Sequence, residues 1–354
     1  MKACGRTTVG VALSGGKDSS LAAALLLREG HRVRGYHLRL YSGGKDGAAQ
    51  EAALRELAFR LKIPLFVLDL REEFREGVID PFLAEYRRGR TPNPCALCNL
   101  CFKFGRLFTQ ALADGCDYVA TGHYARAEEG LLKTNSSPER DESYFLALLP
   151  RERLRRLLLP LGCFCDREVS RLRDELLPGF QPSPVSQEAC FLAGQSLRDF
   201  LRRQLPQAFR PGEIVSAGGK VLGQHQGTCG YTIGQRRGLS SASGRGGPYY
   251  VIGIEPEKNR IVVGRRRDLL AVGMEVRGTT WNGIANPNGP FRALVRIRHT
   301  HNPVGAEIFP RGEGRTDVVF ERPQSAVTPG QLAVFYREDA VLGAGWIEGP
   351  LQED

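Results

Sequence analysis

No stretch of this 354-residue sequence approaches the roughly 20 consecutive apolar residues that cross a bilayer, so a membrane-spanning helix is excluded and no membrane partner is expected. No export signal is expected, because the first apolar run already reads as a strand. An even cysteine set is also missing. Nine cysteines in a chain too large to need covalent staples read as reduced thiols, some of them reactive, and a cytoplasmic location is expected. Acid is in short supply. Lys and Arg number 49 against 39 Asp and Glu, a formal charge of +10 carried mostly by arginine, which favours a polyanionic partner, nucleic acid first. Two nucleotide-binding signatures are absent. A Walker A loop requires Gly where Val11 stands and Ser or Thr where Asp18 stands. No Gly-x-Gly-x-x-Gly dinucleotide fingerprint occurs either.

What the chain does have is a strand, a Gly-rich turn and an Ala/Leu-rich helix in residues 9–27. That order aims free backbone N–H groups at an anion. Gly15 and Gly16 allow close approach of the backbone, Ser14, Ser19 and Ser20 add hydroxyls, and Lys17 adds a positive charge. The run SGGKDSS resembles the pyrophosphate loop of the PP-loop ATPases, which split ATP between the α and β phosphates and adenylate a substrate.

Further along, strands are expected at 30–41 and 63–70, the second of the fully buried type, with a helix over 48–62 between them. Residues 41–47 echo the first loop and read as a turn. Helical pattern resumes through Phe82 to Arg87 and again from about 102 to 113. Cys116 to Ala125 reads as a strand running into a Gly122-His123 turn. Strands alternating with helices mean a parallel sheet, an α/β domain whose ligands sit beyond the carboxyl ends of the strands. From Glu139 to about Leu205 the pattern is helical and basic, with Arg151, Arg153, Arg155, Arg156, Arg167, Arg171, Arg173, Arg198, Arg202 and Arg203 as a footprint for phosphates. After Pro211 short Gly/Val/Ile/Tyr runs at Gly212–Val215, Lys220–Leu222, Tyr249–Ile252 and Arg260–Val263 signal a small β domain. A second all-β stretch from about Val272, with runs at Arg292–Ile297, Asp317–Phe320, Leu332–Tyr336 and Leu342–Ile347, has barrel-like spacing. The expected division is 1–205, 206–270 and 271–354.

Cysteine carries the remaining signal. Pro92 and Pro94 hold the approach to Cys95-x-x-Cys98 extended, and that pair suits a redox couple or half of a metal or cluster site. Cys163-x-Cys165 has poor metal spacing. Cys190 stands alone beside Phe191, and taken singly is a small buried hydrophobe. The stretches GRTPNPCALCN, ATGHYAR, DESYFL, SQEACF, HQGTCGYTIGQRRGL, YYVIGIEPEKNRIVVG and AVTPGQLAVFY occur here in one order. Nearly end to end, that order resembles the tRNA-specific 2-thiouridylases.

The resemblance implies a PP-loop domain, a small central β domain and a C-terminal β-barrel, working as a monomer. It implies ATP-dependent replacement of the wobble uridine's 2-oxygen by sulfur, with Mg²⁺ balancing phosphate charge. By its motifs Ala12, Leu13, Ser14, Gly15, Gly16, Lys17, Asp18 and Ser19 form the ATP loop, with Leu38 and Gly122 near the adenine and ribose. Cys190 carries the persulfide, loaded by a sulfur donor such as a cysteine desulfurase or relay protein. Cys98 is its partner, releasing sulfide or closing a disulfide with Cys190; a pKa lowered by the arginine-rich site would favour the reactive thiolate. Asn93, Pro94 and Cys95 meet the target base, and His123, Arg140, Asp141, Glu142, Arg298, His299 and Gln331 contact tRNA. The chain departs from the pattern in places. Many members carry Asp at the position of Cys95, where it is a candidate general base, and Lys17 replaces the usual Val. Cys95, Cys98 and Cys190 could instead hold a four-iron four-sulfur cluster.

Two other readings stay open from the residues. A PP-loop synthetase of the amidotransferase type, acting on a small molecule, would not need the three cysteines or the basic β-rich half. A non-enzymatic RNA-binding redox protein would tolerate Asp18→Ala without loss of activity.

Overall fold

In the computed structural model of the chain, residues 7–41, 47–182, 189–239 and 248–351 are described. Five parallel strands form the first sheet, in the order Leu65–Asp69, Arg32–Arg39, Thr8–Ala12, Tyr118–Ala120, Leu157–Leu158. Thr8–Ala12 pairs on both sides, Val9 opposite Val33 and Tyr118, and its Val9 and Val11 are fully buried, as a central parallel strand requires. The helix Lys17–Arg28 follows at once, with Ala and Leu and no β-branched residue to crowd the preceding turn. It is buried on two faces. Ala23, Ala24 and Leu26 pack with Val9 and Val11 on the sheet, while Leu21 and Leu25 meet Val169 and Leu172 of the helix Asp166–Leu176. The Gly-rich loop is therefore held at both ends by packed elements.

Three expectations are revised. Residues 65–69 do form a strand, but it is the sheet edge: without a second neighbour it is only half covered, and Phe66 is 40% exposed. Residues 139–205 are not helical throughout, since Leu157–Leu158 adds the fifth parallel strand, Val119 opposite Leu157; two residues are too few to register as a period. The helix expected at 102–113 begins as a wide π-helix, Asn99–Leu107, and turns α-helical only at Phe108–Ala113. Residues 42–46 of the echoed loop, and 183–188 ahead of Cys190, lie outside the described residues.

The small domain carries a four-stranded sheet in the order Tyr250–Glu255, Arg260–Gly264, Gly212–Ser216, Val221–His225, over a core of Ile214, Tyr231, Val251, Ile261 and Val263. The C-terminal part is a six-stranded antiparallel barrel, closed where Leu270–Trp281 pairs with Ala340–Pro350. One of its strands, Val304–Gly312, falls in none of the runs singled out from the sequence.

The barrel is joined to the first domain through a common core. Leu332, Val334, Tyr336, Val341 and Ala344 pack with Phe104, Leu107, Tyr144 and Leu149. The hairpin Ala125–Glu128/Leu131–Thr134 of the first domain joins the barrel sheet at Lys133 opposite Ala340. Arg90 reaches both carboxylate oxygens of Glu348, at 3.1 and 3.0 Å, and the Ile347 carbonyl at 3.0 Å.

Candidate nucleotide and thiol site

The loop after the first strand is shaped by its own hydroxyls. Ser19 Oγ accepts from the Ser14 amide at 3.2 Å and donates to the Gly16 carbonyl at 3.2 Å, and Ser20 Oγ donates to the same carbonyl at 2.9 Å. Gly15 sits at φ 81°, a conformation in which a Cβ would be strained. Gly16 is the N-cap of the helix and supplies no side-chain acceptor, so the first helical amides stay open to an incoming anion. Ser14 is exposed and Lys17 and Asp18 are half-exposed, so the loop's polar groups face outward.

Gly122 presses on this loop. A Cβ there would lie 2.6 Å from the Asp18 carbonyl carbon and 2.7 Å from the Ser19 nitrogen, so only glycine fits. Among the described contacts its neighbour is the phosphate loop itself. Two residues on, the Tyr124 hydroxyl donates to Asp18 Oδ1 at 2.7 Å and accepts from Arg140 Nη2 at 2.9 Å. Arg140 also lies 4.2 Å above the Tyr124 ring and pairs with Asp166 at 2.7 Å.

The cysteines lie alongside. Cys95 and Cys98 sit on the short helix Pro94–Cys98, whose N-cap is Asn93: its Oδ1 accepts from the Ala96 amide at 3.1 Å, and Pro94 occupies the first turn, where no amide is needed. Cys190 opens a single turn held down by Phe191, which inserts between Phe82 at 5.2 Å and Phe200 at 5.4 Å, in the core that also buries Cys98. All eight described cysteines are free thiols. Cys95, Cys98 and Cys190 are within electrostatic reach of one another; Cys95 and Cys190 are exposed and Cys98 is buried.

Lys103 was not singled out from the sequence, yet its charge reaches all three thiols and His123. The π-helical winding brings residue i+5 toward the face of residue i, so Lys103 turns toward Cys98. Its Nζ lies 3.5 Å from His123 Nε2, while His123 Nδ1 lies 2.8 Å from Thr121 Oγ1. That pairing fits a neutral imidazole protonated at Nδ1, and burial, reinforced by Lys103, holds its pKa well below the usual value. Burial pushes all three thiols up, Cys98 to about 12, and the Lys103 ammonium pulls each back down. The expected lowering by an arginine-rich site is thus revised: desolvation wins, and the opposing cation is a lysine. Burial also raises Glu142, whose carboxylate accepts from the Tyr124 amide at 3.0 Å. No three His, Cys, Asp or Glu side chains among the described residues converge closely enough to hold a metal ion, so the thiol triad as it stands does not fit a cluster.

Several residues expected to meet RNA also have internal partners. Asp141 is 5% exposed: Oδ1 accepts from the Asn135 and Ser143 amides, and Oδ2 from Ser143 Oγ and, at 2.6 Å, from Arg296. His299 Nε2 lies 3.0 Å from the Asp141 carbonyl oxygen and its ring packs 4.6 Å from Phe145. Arg298 donates to the Ser325 carbonyl at 3.3 Å. Gln331 Nε2 donates to the Thr91 carbonyl at 2.8 Å, so the barrel grips the segment that leads into Cys95. Leu38 is half-buried near the end of its strand. Of the ten arginines counted as a footprint, all but Arg153 and Arg173 are exposed.

Residues 7–194 match the family model described as a tRNA methyl transferase HUP domain, 198–265 the tRNA methyl transferase PRC-barrel domain, and 272–347 the aminomethyltransferase beta-barrel domain. A tRNA-specific 2-thiouridylase of Syntrophotalea carbinolica is 44% identical over 95% of this chain and 97% of its own length. Counterparts from Carboxydothermus hydrogenoformans (40% identical, 98% and 99% covered) and Chloroflexus aurantiacus (41%, 96% and 98%) are similar throughout.

Proposed function

Because the chain belongs to the tRNA-specific 2-thiouridylase family, it is an ATP-dependent tRNA-uridine 2-sulfurtransferase, and we propose that it adenylates the C2 oxygen of the wobble uridine and replaces it with sulfur carried on Cys190. The matched family models speak of methyl transfer and the relatives of 2-thiolation. The residues favour the second. The observation that carries it is the gathering of Cys95, Cys98 and Cys190 within reach of Lys103, whose Nζ lies 3.5 Å from His123 Nε2, the residue after the glycine that abuts the phosphate loop.

The open amides after Gly16, with Lys17, receive the pyrophosphate end of ATP. Asp18 is the loop's carboxylate and would hold Mg²⁺ together with phosphate oxygens, the donor set that ion prefers, and the ion would supply charge neutralisation for the leaving pyrophosphate. The uridine C2 oxygen attacks the α phosphorus, pyrophosphate leaves, and the oxygen becomes part of a good leaving group, AMP. The terminal sulfur of a Cys190 persulfide then attacks C2 and AMP departs. Cys98, as thiolate, attacks Cys190 Sγ, releasing 2-thiouridine and leaving a Cys98–Cys190 disulfide that a thiol reductant reopens. With both thiols raised by burial, the protonated forms dominate at neutral pH, and Lys103 is the group that stabilises the thiolates when they form. A sulfur donor must deliver persulfide to Cys190, whose exposed surface gives it access.

ATP–pyrophosphate exchange that depends on tRNA tests the adenylation step; exchange driven by a small carboxylate or amide instead would favour the synthetase reading. Cys98→Ser and Cys190→Ser should each abolish thiolation and leave tRNA binding intact. Equal loss of binding would make these cysteines structural and defeat the proposal.

A further inference from the structure

Tyr124 is 2% exposed, and its phenol has two charged neighbours and no other use. The hydroxyl donates to Asp18 Oδ1 at 2.7 Å and accepts from Arg140 Nη2 at 2.9 Å. The residue itself is fixed from both sides of its backbone: its amide donates to Glu142 Oε2 at 3.0 Å, and its carbonyl accepts from the Glu142 amide at 2.8 Å. The Arg140 guanidinium lies 4.2 Å over the ring, and Leu21, Leu25 and Leu161 pack in the same cluster. A phenylalanine would satisfy all of this packing. The oxygen is there for the polar contacts, and burying a hydroxyl costs free energy unless such contacts are made.

We infer that Tyr124 is a positioning residue for the nucleotide step: its hydroxyl fixes the Asp18 carboxylate in the orientation that receives the metal-bound phosphates of ATP. The inference rests on reading residues 14–20 as the nucleotide loop. Asp18 sits half-exposed on the first turn of the helix, where an unrestrained carboxylate samples several rotamers and must be ordered when ATP arrives. A buried donor that cannot move removes that cost in advance, and it holds Oδ1 while leaving Oδ2 for the ligand. Gly122 serves the same end from the backbone side, since its lack of a Cβ lets the Tyr124 segment lie against Asp18 and Ser19. Arg140 keeps the phenol oxygen in place by donating to its lone pair, and is itself held by Asp166 at 2.7 Å.

The test is a double-mutant cycle read by calorimetric binding of Mg·ATP to the full chain: wild type, Tyr124→Phe, Asp18→Asn, and both together. Tyr124→Phe is expected to weaken Mg·ATP by about tenfold, the scale of one hydrogen bond to a charged group, with a nearly unchanged melting temperature. In the Asp18→Asn background the same change should cost less than about twofold. Wild-type affinity in Tyr124→Phe, or a loss from Tyr124→Phe that is undiminished in the Asp18→Asn background, overturns the inference while the loop reading stands. Wild-type affinity in Asp18→Asn alone would bring down the loop reading, and the inference with it.

Discussion

Replacing Gly122 by alanine presses on the backbone of the nucleotide loop while leaving every side chain of that loop unchanged. The added Cβ would lie 2.6 Å from the Asp18 carbonyl carbon, 2.7 Å from the Ser19 nitrogen and 2.8 Å from the Asp18 oxygen. All three are backbone atoms in the first turn of a helix buried on two faces, so no side chain can swing aside. Opening 2.6 Å to an ordinary 3.4 Å contact moves one backbone by about 0.8 Å. Such overpacking costs about 1–3 kcal/mol of stability. A displacement approaching 1 Å at a phosphate cradle costs on the order of a hundredfold in function. The expected result is a Mg·ATP affinity or tRNA-dependent pyrophosphate exchange reduced at least tenfold, with a melting temperature lowered by several degrees. Gly289→Ala is the control, since a Cβ there meets nothing within 4 Å. Calorimetry and thermal unfolding on the two variants decide it. Undiminished nucleotide affinity in Gly122→Ala would refute the claim that this contact sets the loop.

Three further outcomes are expected. Lys103→Met should slow alkylation of Cys98 and Cys190 at neutral pH by at least several-fold and move the pH profile of alkylation upward, because the cation that opposes desolvation is gone; an unchanged profile would remove Lys103 from the thiol chemistry. Thiolation should climb as pH rises above neutral. Both thiols have raised pKa values, so the proton-bound form dominates at pH 7 and each upward step exposes more thiolate; a flat or falling rate between pH 7 and about pH 9 contradicts this. Arg296→Met should destabilise the junction between the first domain and the barrel by about 3–5 kcal/mol, because the Asp141 carboxylate, paired at 2.6 Å and 5% exposed, loses its counter-charge. Thermal unfolding reads that loss, and a shift of under about a degree would show the pair to be incidental.

The glycine loop was legible because its signal is local: glycines, hydroxyls and a following helix lie in consecutive residues, and backbone geometry follows from them. The alternating α/β pattern and the short β runs were legible for the same reason. The edge strand Leu65–Asp69 misled because an apolar run looks alike whether one neighbour covers it or two. Leu157–Leu158 escaped because two residues have no period, and the π-helix because sequence spacing presumes 3.6 residues per turn. Lys103 and Tyr124 went unremarked for a related reason, since each matters through residues far away in the chain or through unusual winding.

Sequence alone determined the loop, the thiols and the family motifs, since these depend on which residues are adjacent. Tertiary structure decided which of them come near one another and what that does to their protons. Desolvation and the direction of a lysine are properties of packing, and packing is set by residues such as Cys98 and Lys103, or Asp18 and Tyr124, that the chain brings near one another only when folded. The same packing gives Asp141, His299 and Gln331 internal partners that brace the barrel against the first domain and the segment leading into Cys95.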